Sequence, residues 1–135
     1  MALRLAIAFL GVASAVVFSA LPANASTPSK HEKPLFETTV SGSNASGGVG
    51  TLSGFITQCY GSRYSTFAGG WCDGNGPDYT YKGVVWCSDG GKYYGQSRWA
   101  GDRTGSYVSC PSGYSATRGG VYGYHFNTVV IDATG

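Results

Sequence analysis

The clearest pattern in the chain lies at 79–87. Tyr79, Tyr81, Gly83, Val85 and Cys87 take every second position, and Thr80, Lys82, Val84 and Trp86 take the others. A period of two is that of a half-buried strand. The pattern predicts a strand with one face, Cys87 included, turned to the core. Shorter runs rich in Tyr, Val, Thr and Phe predict further strands at 52–60, 64–67, 92–99, 106–110 and 114–117, and at 121–131 in one or two pieces. Turn chemistry separates them: Ser88-Asp89-Gly90-Gly91, Pro111-Ser112-Gly113 and Gly119-Gly120. There Gly supplies positive φ, and Asp and Ser bond their own backbone. The folded part has no helical periodicity and no internal repeat. Close strand spacing predicts an all-β domain, a small antiparallel sandwich or open barrel.

The N-terminal half of the pattern is different. Leu5 to Phe18 is an apolar run of 14 residues behind Arg4, and Ala23-Asn24-Ala25 closes it with an A-x-A cleavage pattern. The run is too short to span a bilayer, which takes about 20 residues. Residues 1–25 therefore read as a secretion signal, and the product as released and extracellular, without membrane insertion. Residues 26–50 form a polar arm that ends in a Ser/Gly tether over 41–50. The arm has one apolar patch, in which Phe36, Thr38 and Val40 alternate with Glu37 and Thr39 behind Leu35. It reads either as a plain tail or as a segment that adds a strand to a partner, with Leu35 and Phe36 as anchors and Thr38 and Val40 on the same face. The stapled β-domain occupies 51–135.

Composition sharpens the fold class. Beyond position 50 there is one Leu, Leu52, and neither Met nor Glu, so good helix formers are scarce while strand formers abound. Without Arg4, eight basic residues stand against seven acidic ones. That balance predicts neither nucleic-acid binding nor strong electrostatic steering. Cys59, Cys72, Cys87 and Cys110 form an even set in an exported chain, which predicts two disulfides. Three pairings are open, and the sequential one closes short loops. A zinc site lacks the close C-x₂-C spacing.

No catalytic constellation stands out. His125 is the only histidine of the domain, and no G-x-S-x-G elbow accompanies it. Asp73-Gly74-Asn75-Gly76-Pro77-Asp78 lacks the spacing and closing Glu of a calcium loop and reads as a turn. No enzyme activity, metal or cofactor is expected. Trp71, Trp86, Trp99 and ten tyrosines remain. Some are needed for the core, and the surplus suits contact surfaces. Arg98, Trp99, Arg103 and Tyr107, clustered around Asp102, are the candidate contact residues of the domain. Their other reading is an Arg–Asp pair that orders the loop.

The run Cys87-Ser-Asp-Gly-Gly-Lys-Tyr-Tyr-Gly95, then Arg98-Trp-Ala-Gly-Asp-Arg103 and Gly105-Ser-Tyr-Val-Ser-Cys110-Pro111, preceded by Cys72-Asp-Gly-Asn-Gly-Pro77, resembles small secreted proteins of Streptomyces and related actinobacteria over about 40 residues. In size and layout the chain is similar to the small adaptor subunits of umbrella-shaped antibacterial toxin particles. That resemblance implies a non-enzymatic adaptor that docks one or more secreted proteins through its N-terminal arm, here 33–40. No individual binding residue carries over. A second resemblance is to small actinobacterial α-amylase inhibitors, two-disulfide β-sandwiches with sequential cysteine pairing. Their Trp-Arg-Tyr triplet has a partial echo in Ser62-Arg63-Tyr64, without the Trp. It implies an inhibitor of a secreted hydrolase as the alternative, with glycan binding a third reading drawn from the surplus aromatics.

Overall fold

The computed structural model describes residues 32–42 and 55–135. The expected secretion signal and most of the tether lie outside the described residues. Among the described residues nine strands run in chain order: β1 (Phe36–Ser41), β2 (Phe55–Arg63), β3 (Phe67–Asn75), β4 (Tyr79–Cys87), β5 (Lys92–Tyr94), β6 (Arg98–Trp99), β7 (Ser106–Ser109), β8 (Ala116–His125) and β9 (Thr128–Thr134). All pairings are antiparallel. The first sheet has the order β1-β2-β3-β7, and the second has β5-β4-β8-β9, with β6 also on β4. The fold is an all-β sandwich. No described helix is long and apolar enough to cross a membrane.

Strand β4 matches the alternation at 79–87, with Tyr81, Gly83, Val85 and Cys87 buried. Other boundaries differ, several of them at glycines. The strand expected at 64–67 is the turn between β2 and β3, closed by the Tyr64 N–H donating to the Phe67 carbonyl at 2.8 Å. The expected turn at 73–78 begins as the last residues of β3. Gly119-Gly120, read as a turn, lies inside β8. The strand expected over 92–99 breaks at Gly95, where a side chain would press to 2.6 Å of the Ser106 hydroxyl. That hydroxyl accepts from the Gly83 N–H at 2.9 Å and donates to the Gln96 carbonyl at 2.6 Å. Ser106 is thus a buried polar group with its bonding satisfied.

The arm's apolar patch is strand β1. It pairs along β2 from Phe36 opposite Arg63 to Ser41 opposite Gln58. Phe36, Thr38 and Val40 are its half-buried positions, and Val40 packs against the core. The Phe36 ring lies against Gly135. The segment set apart from the domain at the level of sequence is thus the edge strand of the domain's own sheet.

Two disulfides form, Cys59–Cys72 and Cys87–Cys110. The first crosslinks directly opposed residues of β2 and β3. The second joins the end of β4 in the second sheet to the residue following β7 in the first. Each sits in its own core cluster. Cys59 and Cys72 pack with Ile56, Tyr81, Val121, Ile131 and Ala133, whereas Cys87 and Cys110 pack with Ala68, Val85 and Ala116. The core is thus built from sulfur, aliphatics, Phe67 and Tyr81, and Trp71 packs against its first cluster.

Candidate functional site

Alternation puts the odd-numbered residues of β1 on the outer face of the first sheet, together with Gln58, Tyr60 and Ser62 of β2, which follow the register shift at Ile56. Glu37 stands opposite Ser62, Thr39 opposite Tyr60, and Tyr60 in turn opposite Trp71 of β3. Directly opposed side chains are close enough to pack. The Tyr60 and Trp71 rings stack, with centroids 3.9 Å apart and planes at 26°. Further along β3, Gly69 stands opposite Tyr107 of β7. A side chain at Gly69 would collide with the Tyr107 ring at 2.6 Å, so glycine there lets the ring lie across the strand. Tyr107 also meets Phe67 edge-on at 6.5 Å, and Tyr64 stacks on Phe67 at 4.3 Å.

These groups line a groove of about 460 Å³ with Glu37, Thr38, Thr39, Tyr60, Ser62, Tyr64, Trp71 and Tyr107 on its walls. A cation stands at one end. Arg103 is 4.9 Å from the Trp71 ring centre and bonds the Asp73 carboxylate at 2.8 Å. The Gln58 amide donates to both the Asp73 carboxylate and the Tyr60 hydroxyl. Burial pushes the Tyr107 phenol above its ordinary pKa, so it keeps its proton as a neutral hydrogen-bonding group. The groove combines a stacked aromatic floor, a positioned guanidinium and a polar rim that carries the Glu37 carboxylate.

The residues expected to contact a partner divide. Arg103 and Tyr107 come together at the groove, and Thr38 reaches its wall. Phe36 and Val40 are turned inward instead. Leu35 is 64% exposed just before β1, its N–H bonded to the Arg63 carbonyl. Arg98 donates to the Gly105 carbonyl at 2.9 Å and lies 3.7 Å from Asp102. It orders its own loop. Trp99 is 67% exposed beside Gly76, opposite Thr80 of β4, away from the groove.

Tyr60 and Trp71 were not singled out in the sequence, although a signal was there. Each adjoins a cysteine, and sequential pairing across an antiparallel strand pair places Tyr60 against Trp71 whenever it places Cys59 against Cys72. Arg63 of the partial triplet donates to the Gly135 carbonyl at 3.1 Å and the Ala116 carbonyl at 3.3 Å, which turns its guanidinium into the chain. His125 stacks on Tyr79 at 4.4 Å and lies 4.6 Å from Phe126. Asp89 accepts from the Gly91 N–H and the Tyr93 hydroxyl. The Tyr93 hydroxyl is the main reason its carboxyl is held below the usual range. Among the described residues no group of three or more His, Cys, Asp or Glu is placed to hold a metal ion. No family model matches the chain, and neither a curated protein nor a solved structure matches it.

Proposed function

We propose that this is a secreted, non-enzymatic binding protein that serves as an adaptor in an extracellular assembly of the antibacterial toxin-particle kind and receives a partner protein in the groove of its first sheet. The observation that carries the reading is the Tyr60–Trp71 stack with Arg103 held over it by Asp73. Trp, Tyr and Arg are the residues that dominate binding energy at protein interfaces. Here Tyr60 and Trp71 are pre-positioned by a crosslinked strand pair and Arg103 by its bond to Asp73, so little rotamer freedom is lost when a partner docks. The outer edge of β1 adds main-chain donors and acceptors beside the groove, where an extended partner segment can lengthen the sheet. Export through residues 1–25 and oxidative closure of the two disulfides belong to the same reading.

The test is a pull-down from the source organism's culture medium with tagged mature protein, repeated with Trp71→Ala. The expected result is one recovered partner polypeptide, bound more weakly by about 2 kcal/mol or more in the variant. Equal recovery by both proteins would sink the groove as the docking site. A second reading has its own observation, since a flat Tyr–Trp stack also suits the face of a sugar ring. Retention on an insoluble neutral glycan, with no partner polypeptide recovered, would replace the adaptor by a carbohydrate-binding module. Inhibition of a secreted hydrolase is weakened by the inward turn of Arg63.

A further inference from the structure

The outer face of the second sheet has a different character. Lys82 and Trp86 of β4 stand on it either side of the fully buried Val84, flanked by Lys92 and Tyr94 of β5 on one side and Arg118, Tyr122 and Tyr124 of β8 on the other. Lys92 Nζ lies 4.5 Å from the Trp86 ring centre, 5.0 Å from that of Tyr122 and 5.2 Å from that of Tyr94. Arg118 lies 4.6 Å from the Trp86 ring centre, and Lys82 lies 5.5 Å from that of Tyr124. Among the described residues three cations thus share one face, where Arg118 lies 3.7 Å from the Asp132 carboxylate. In a chain whose charges nearly cancel overall, the excess is concentrated here.

We propose that this face binds an acidic polysaccharide, a linear chain bearing carboxylates at regular intervals. Charge complementarity selects a polyanion. Lys92 and Arg118 reach over the Trp86 ring from strands either side of β4, and Lys82 lies about 13 Å along β4 from Trp86. The positive charge therefore extends along the strand, as a linear polyanion requires, and is not confined to one anion-sized spot. The rings favour a sugar polymer over a single-stranded nucleic acid. Base stacking needs a free aromatic face, but Lys92 and Arg118 both stand over the Trp86 indole, at 4.5 and 4.6 Å from its centre. Trp86 meets Tyr122 at 86°, and Tyr122 meets Tyr124 at 82°. These rings meet edge to face and form no parallel stack. Hydroxyls among the cations, such as that of Tyr122 at 3.4 Å from Lys92 Nζ, suit sugar hydroxyls. This assignment is independent of the groove on the opposite sheet.

The experiment is titration of the mature protein with polygalacturonate, with uncharged dextran and with oligothymidylate. Polygalacturonate should bind most tightly, and log affinity should fall with log salt at a slope of about −2 for three cation contacts. Lys92→Gln combined with Arg118→Gln should weaken binding by roughly tenfold. Lys33→Gln, which removes a cation elsewhere, should leave it unchanged. The salt titration of the unaltered protein stands even if the double variant does not fold. Absent polygalacturonate binding at low salt, binding that salt does not weaken, equal affinity for dextran, or tighter binding of oligothymidylate would each overturn the proposal. So would a loss in Lys33→Gln equal to that of the double variant.

Discussion

Tyr81 shows how much a single side chain contributes in this small core. It is fully buried, donates its hydroxyl proton to the Asp102 carbonyl, and accepts from the Gly105 N–H at 3.3 Å. The phenol therefore pins the loop between β6 and β7 that carries Arg103 to the groove. Tyr81→Phe should destabilise the fold by about 1–3 kcal/mol, because a buried carbonyl and N–H lose their partner. A urea titration at neutral pH measures it. Burial also pushes the Tyr81 pKa from 10.0 up to about 12. The folded state holds this proton more tightly than the unfolded chain does. Its contribution is thus complete below the unfolded value of 10.0 and is lost as pH rises through about 12. Stability should fall across that window, and less steeply in Tyr81→Phe. Equal alkaline loss in both proteins would show that other phenols carry the effect. None of these bonds was legible in the sequence, because Tyr81 looks like any other tyrosine until the loop folds over it.

At the scale of elements, β4 was legible because its side chains alternate without interruption. Strands β3 and β8 were not. Gly69-Gly70 and Gly119-Gly120 resemble punctuation, yet here glycine marks places where chain segments nearly touch. A side chain at Gly83 would come within 2.4 Å of the Ser106 carbonyl, and one at Gly119 within 2.3 Å of the Ala68 side chain. Periodicity cannot distinguish a glycine that turns the chain from one that admits a neighbour. Strand β1 was recognisable as a strand, but its partner was not, since a tether of this kind permits pairing at home or elsewhere. Val40→Asp should discriminate. A carboxylate against the first core cluster costs on the order of 2 kcal/mol and should release β1. Amide exchange should then quicken over 36–41 and along the facing β2 amides, with the second sheet little changed. Unaltered exchange would mean that β1 is held without Val40.

For the molecule as a whole, an all-β sandwich with two disulfides follows from composition and cysteine count, whereas the sidedness of its two outer faces does not. It depends on register, which brings distant residues such as Lys92, Trp86 and Arg118 into one row. The disulfides close loops of 13 and 23 residues and by loop-closure entropy contribute about 3 kcal/mol each. Replacing Cys87 and Cys110 by Ala should lower the melting temperature by on the order of 15 °C, as calorimetry would show. An unchanged melting temperature would contradict a clamp between the sheets. The two ends of the described chain also converge: Glu32 bonds Ser65, while Gly135 meets the Phe36 ring and accepts from Arg63. Chain leading into Glu32 or out of Gly135 would therefore depart from one pole of the sandwich, as from a handle, and both broad sides would stay clear for simultaneous engagement.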